Sequence, residues 1–270
     1  MDGRRRLVGA GAVGVLAGVL AAGLWVQLSS AHGTGAAATS SGSTATLTVR
    51  VQADGAKWVS TEVGGAVVTV RDADSGAVLG TGQVLGGSGD TAAIMAPRSP
   101  LTPTPTNGGA ASVALSLPVD DVTRVMVEAR GPLIGDGPVS TSSAQTWLVP
   151  GATQSLDLLL HGLIVTVLAP APHVQVPASS TVSVRASVEN LCGCAIGPDV
   201  PWHPELYTVT ALVRSPDGTT TSYPLAFNST STFAGEVKVG GTGSYVVTVV
   251  AEMPSLGNVG VSRTSVLVGS

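Results

Sequence analysis

Residues 180–189 read Ser-Thr-Val-Ser-Val-Arg-Ala-Ser-Val-Glu, "STVSVRASVE", with apolar side chains at Val182, Val184, Ala186 and Val188 and polar ones between them. Strict alternation is the period of a half-buried strand, because successive side chains point to opposite faces of a sheet. The same period runs outward in both directions. Downstream it continues through "LYTVTALVRSPDGTTTSYPL" with its Pro-Asp-Gly turn, then "FAGEVKV", "GSYVVTVVAE" and "VGVSRTSVLV". Upstream it appears in "LIVTVLAP" and in an earlier series: "ATLTVRV", "AVVTVRDADSGAVLGTG", "SVALSLPV", "RVMVEA", "QTWLVPG" and "SLDLLL". Short strands spaced by turn signals, with no amphipathic helix between them, predict an all-β chain of two tandem antiparallel sandwiches. The two series meet near Gly162–Pro172. This places a first unit at 44–162 and a second at 163–270. Within the first unit, "APRSPLTPTPTNGG" carries Pro97, Pro100, Pro103 and Pro105; it cannot enter a sheet interior and is predicted as an exposed loop over 97–109.

Composition points the same way. Of 270 residues 44% are apolar, enough for real cores, while 11% are charged and 3% aromatic. Val, Ala, Thr, Gly and Ser dominate, which suits pleated surfaces better than helices and suits a GC-rich bacterial genome. Once Arg4, Arg5, Arg6 and Asp2 of the leader are set aside, ten basic residues face sixteen acidic ones, and the only lysines are Lys57 and Lys238. Such a balance offers no cationic footprint and excludes nucleic acid as a partner.

Gly243-Ser-Tyr245-Val-Val247 resembles the start of the sixth strand of Ig-like domains, where a Gly-x-Tyr-x-Cys pattern sets a tyrosine corner. The resemblance implies that the Tyr245 hydroxyl bonds an upstream backbone group and that Val247, at the cysteine position, enters the core. With no cross-sheet disulfide implied, the likeness is to bacterial Ig-like, fibronectin-type or macroglobulin-type sandwiches, over about 100 residues. "GGAVVTVRDADSGAVLGTGQV" is similar to the first hairpin of transthyretin-like and carboxypeptidase-regulatory-like sandwiches, from which the Pro/Thr stretch departs. Both resemblances imply extracellular scaffolds or binding modules and fix no activity.

The leader sets the expected compartment. Three arginines precede Leu7–Leu28, an uncharged run long enough, at roughly 33 Å as a helix, to cross a bilayer with its amino terminus in the cytoplasm. Ser29-Ser30-Ala31 also offers the small residues of a signal-peptidase site, so residues 1–31 are expected to act as a signal anchor or a signal peptide. Residues 32–43, small and polar, are expected to form a tether. The chain is thus expected in the cell membrane with extracytoplasmic domains, or secreted, with the membrane and an unidentified protein or cell-wall component as partners.

The chemistry-bearing stretch is Glu189–Glu205, "ENLCGCAIGPDVPWHPE", which holds the only two cysteines. Two readings stand side by side. In an oxidising space Cys192 and Cys194, separated by one permissive glycine, can form a tight disulfide. Alternatively their thiolates bind copper, or zinc with His203 as a further ligand, in a copper-handling or thiol-redox protein. Two cysteines and one histidine fall short of a closed tetrahedral site, which His161, His173 or Met253 would have to complete. No other cofactor is expected. Trp202, in the proline-rich loop, either presents a contact surface or folds back as a cap, and Trp147 is a second candidate for a partner surface. Asp72-Ala-Asp74-Ser-Gly76 reads as a turn rather than half a calcium loop, and Asp120-Asp121 as a solvated connection. Asn228-Ser-Thr230 fits an N-glycosylation acceptor. No nucleophile elbow, zincin motif or phosphate loop occurs, so no enzyme is expected.

Overall fold

The structure, a computed structural model, describes residues 42–106, 109–134 and 139–269. The leader and all but the last two positions of the tether fall outside the described residues. Among the described residues no helix is long and apolar enough to cross a membrane.

Seven strands precede Gly162: β1 (Thr44–Ala53), β2 (Ala66–Asp72), β3 (Val78–Val84), β4 (Val113–Pro118), β5 (Thr123–Gly131), β6 (Ser140–Leu148) and β7 (Thr153–Leu160). They form a three-stranded sheet in the order β4-β1-β7 and a four-stranded sheet in the order β3-β2-β5-β6. Nine strands follow: β8 (Leu163–Ala169), β9 (Val174–Pro177), β10 (Thr181–Asn190), β11 (Thr208–Arg214), β12 (Thr220–Pro224), β13 (Ala226–Ser229), β14 (Thr232–Lys238), β15 (Gly243–Met253) and β16 (Asn258–Gly269). These build sheets ordered β13-β14-β10-β8 and β12-β11-β15-β16-β9. No sheet draws strands from both sides of Gly162.

Alternation does what its period demands. On β1, Ala45, Leu47, Val49, Val51 and Ala53 are buried; on β10, Val182, Val184, Ala186 and Val188 are. The buried residues join in one continuous apolar cluster that runs from the first pair of sheets into the second. Fully burying one such valine or leucine contributes about 1.5–3 kcal/mol, so these stripes decide which face turns inward.

The second pair of sheets is Ig-like. In order β8-β10-β14-β13 its first sheet matches the ABED arrangement, while β11, β15 and β16 make the CFG sheet, widened by β12 and β9. The tyrosine corner is in place: the Tyr245 hydroxyl donates to Gly241 O at 3.0 Å and accepts from Gly240 N at 3.1 Å. Val247 is fully buried. In the first pair of sheets, the β2–β3 hairpin closes through Asp72, whose Oδ1 accepts from Asp74 N, Ser75 N and the Ser75 hydroxyl. Those hydrogen bonds, the Ser75 backbone first, hold the Asp72 carboxyl below its ordinary range.

Two pairings depart from the all-antiparallel expectation. β1 runs parallel to β7, and β9 parallel to β16. A parallel pair needs a long crossover, and in each case the intervening strands supply it.

The Pro/Thr stretch is also more than an exposed loop. It follows a one-turn helix, α1 (Thr91–Met95), capped by Asp90, and it covers Trp58. Trp58 is fully buried and donates through Nε1 to Pro105 O at 3.0 Å. The Thr104 hydroxyl donates to Gln52 Oε1, so the stretch is tied down near its end while Pro97–Pro103 remain exposed.

Candidate functional site

The loop between β10 and β11 is built on Asn190, the last residue of β10. Its backbone N–H and its side-chain Nδ2 both donate to Cys194 O at 3.3 Å, and Gly193 N donates back to Asn190 O at 2.8 Å. Gly193 has φ 74, a left-handed conformation open to glycine at little cost. This tight turn sets Cys192 and Cys194 side by side with Cα atoms 5.2 Å apart, a span within the range a disulfide requires. Tyr207 closes the base of the loop by donating its hydroxyl to Asn190 Oδ1 at 2.9 Å. Burial pushes the Tyr207 hydroxyl up to about 12, against the smaller opposing pull of Asn190, so it stays a donor.

The cysteines are 2% and 7% exposed, which removes them from solvent. The histidine proposed to join them turns elsewhere. His203 is half-exposed, and its Nδ1 lies 3.7 Å from Glu205 Oε1. Among the described residues no group of three or more His, Cys, Asp or Glu side chains is placed to hold a metal. His161 faces Asp54 and His173 faces Ser265, so neither histidine completes the set; Met253 is buried at the end of β15.

Trp202 corrects the reading of it as a partner surface. It is 4% exposed, and its Nε1 donates to Gly55 O at 3.0 Å, in the turn that follows β1. An indole with one donor and a large apolar body is stable inside only where that donor finds an acceptor, and Gly55 supplies it. It is a cap, as the second reading held, but its hydrogen bond goes to the far side of Gly162. Trp147, by contrast, is 56% exposed on β6.

Around Trp202 several other contacts cross between the two pairs of sheets. Asn258, at the start of β16 and 1% exposed, donates from Nδ2 to Asp54 O at 3.2 Å and accepts at Oδ1 from Gly162 N at 2.9 Å. A Cβ on Gly193 would sit 2.7 Å from Val63 Cγ1, in the 3-10 turn Thr61–Val63, and one on Gly55 would strike Leu256 Cδ1. Asp54 Oδ2 lies 3.1 Å from His161 Nδ1, beside the two-residue link between β7 and β8. Residues Asp54, Gly55, Val63, Leu256 and Asn258 carry no motif. The only signals in sequence are turn residues, and turn residues say nothing of partners a hundred or more positions away.

An open cleft of about 310 Å³ lies beside this junction, lined by Gln52, Asp54, Ile94, Met95, Arg98 and Leu159 among others. The Arg98 guanidinium is already engaged by Ile94 O and the Thr104 hydroxyl. The cleft brings together no nucleophile with a base. What the arrangement provides is mechanical: the Trp202 and Asn258 side chains, each bonded to backbone across Gly162 or at it, fix one group of loops against another.

No family model matches the chain, and no curated protein matches it. Among solved structures it is similar to the fibronectin(III)-like modules of Clostridium thermocellum CbhA, at 13% identity, 75% of this chain, 77% of that chain and a TM-score of 0.29. It is also similar to the titin domains Z1Z2 solved in complex with telethonin, at 11% identity, covering 85% and 94% with a TM-score of 0.26. A third is the polymeric Ig receptor ectodomain of a teleost fish, at 13% identity, covering 83% and 97% with a TM-score of 0.23. Fibronectin(III)-like and Ig-like domains are thus what the chain is similar to, and the Ig-like assignment rests on the strand order and the tyrosine corner described above.

Proposed function

We propose that the chain is an extracytoplasmic structural or binding module made of two tandem β-sandwiches, 44–162 and 163–270, held in one fixed relation. In this reading the Leu7–Leu28 segment exports it and either anchors it or is removed, and loops and sheet faces meet a partner outside the cell. The observation that supports it most is the junction at Trp202 and Asn258. Its polar side chains are used to hold loops together, and none is left converging on a reactive atom. The copper or thiol-redox alternative would require His203 or another ligand to leave its present neighbour and reach two buried sulfurs.

The test is topology together with metal content. On intact cells a membrane-impermeant amine reagent should label Lys238, which is exposed, and the purified chain should carry no stoichiometric copper. Labelling only after lysis would overturn the extracytoplasmic reading. Copper at one equivalent, lost in both Cys192→Ser and Cys194→Ser, would replace the structural role with a metal-handling one.

A further inference from the structure

Each sheet ends in two edge strands, and an unpaired edge is a template for another strand unless something blunts it. Among the described residues the edges are blunted in several ways. Proline ends β4, β9 and β12 at Pro118, Pro177 and Pro224. β3, β8 and β13 pair with a break in register, and β7 carries Asp157. β6 has none of these features. Its nine residues, "STSSAQTWL", include no charge, proline or glycine and pair with β5 without a break.

Two hydrogen bonds give the direction of its backbone. Arg124 O accepts from Ala73 N, beyond the end of β2, and Trp147 O accepts from Gln154 Nε2 on β7. The Arg124–Trp147 row is thus a non-hydrogen-bonded pair of the β5–β6 ladder, its backbone groups turned away from each other. Alternation turns the N–H and C=O of Thr141, Ser143 and Gln145 outward as well, while Ser142, Ala144 and Thr146 bond β5. Among the described residues no strand pairs with that outward edge. β7 belongs to the other sheet and is tied to β6 at the two ends, by Gln154 to Trp147 O and by the Ser140 hydroxyl to His161 O.

The edge is complementary to itself. Val139 and Trp147, both exposed, stand four positions either side of Ser143, with hydroxyl, methyl and amide side chains between them. In an antiparallel copy centred on Ser143, Thr141 meets Gln145, Ser143 meets its counterpart, and each Trp147 meets the other copy's Val139. The outward N–H and C=O groups all find partners, no charge opposes a charge, and an aromatic against a β-branched side chain is a favourable cross-strand pair. A foreign strand would need this spacing by chance, whereas a second copy has it by symmetry. We propose that the chain forms a two-fold dimer through β6, joining two β3-β2-β5-β6 sheets into one. The edge is used up in the pairing, so assembly closes at two copies. The inference does not depend on the compartment or on the role proposed above.

An edge contact is small, so the dimer is sought over about 1 μM to about 1 mM, by sedimentation equilibrium of the full-length chain in detergent. A monomer–dimer equilibrium is expected. Amide hydrogen exchange should slow with concentration at Thr141, Ser143 and Gln145, while Ser142, Ala144 and Thr146, already bonded to β5, stay unchanged. Ser143→Lys or Ser143→Glu alone should weaken association about tenfold or more by setting like charges across the axis, and an equimolar mixture of the two should restore it. The Ser143 side chain is exposed, so both variants, diluted to monomer, should unfold at the parent's temperature. A chain that stays monomeric, exchange at Thr141, Ser143 and Gln145 indifferent to concentration, a mixture no tighter than either variant, or a dimer that survives Ser143→Lys would each overturn the proposal. The last result would place association on another surface, the leader included.

Discussion

At Asn258 a buried amide uses both of its ends on backbone groups from distant segments, Asp54 O and Gly162 N. In sequence it is only a turn residue in "SLGNVG", because its partners lie 204 and 96 positions away. Replacing it by alanine leaves a buried donor and a buried acceptor without partners. Asn258→Ala should therefore cost about 2 kcal/mol of stability, read from denaturant midpoints at constant slope. Asn258→Asp should be milder only if it keeps the bond from Gly162 N, since a carboxylate cannot donate to Asp54 O. Tyr207 gives a second prediction, with a definite sign. Its hydroxyl is raised in the folded state from the ordinary 10.0 to about 12, because burial favours the neutral form. Between those two values the unfolded chain has lost the proton and the folded one still binds it. Stability is thus fully present below pH 10 and falls as pH rises toward 12. Equilibrium unfolding across that range should show the decline, and Tyr207→Phe should flatten it while lowering the plateau through loss of the Asn190 contact.

Elements were the most legible level. Most long strands follow from apolar alternation, although β6 shows only its last residues in the sequence because its inward positions are mostly Ser, Ala and Thr, and turn residues mark the hairpins at Asp72–Gly76 and Pro216–Gly218. Two kinds of element were not legible. β9 and β13, four residues each, are too short to show a period, and α1 is a single turn just before the proline-rich stretch. The parallel pairings of β1 with β7 and of β9 with β16 were hidden as well, since alternation fixes which face is buried and leaves strand direction open. Gly260 on β16 shows where packing overrides local preference. A Cβ there would press on the Leu163 carbonyl group, with the carbon at 2.9 Å, and on Val165 Cγ2 at 2.7 Å, because β16 crosses β8 backbone to backbone. Glycine to alanine commonly gains about 0.4–1 kcal/mol by restricting the unfolded chain. Here the collision with a carbonyl that cannot rotate away should outweigh that gain, and Gly260→Ala should destabilise by about 1–3 kcal/mol. A stabilised variant in thermal unfolding would show that β8 and β16 separate freely.

For the whole molecule the decisive question is whether the sheets before and after Gly162 unfold together. Their link is two residues long, yet linker length alone would leave them free to unfold independently. Coupling comes from the groups that cross: Trp202 on Gly55, Asn258 on Asp54 and Gly193 against Val63, all joined to the continuous apolar cluster. A buried tryptophan replaced by alanine costs about 3–5 kcal/mol. At Trp202 that loss falls on the contact between the two pairs of sheets, since its hydrogen bond reaches across Gly162 while the strands on either side keep their own ladders. Calorimetry of the parent chain should thus give one cooperative transition, with calorimetric and van't Hoff enthalpies in agreement. Trp202→Ala should split it into two, the tyrosine-corner half and the Trp58 half melting separately, and should admit protease at His161–Gly162. Trp202→Phe, which keeps most of the volume and loses the bond to Gly55, should lower the single transition without dividing it. If Trp202→Ala still melts as one unit with a matched loss of enthalpy, the junction does not couple the halves, and a rigid tandem is the wrong description of how this chain presents its faces.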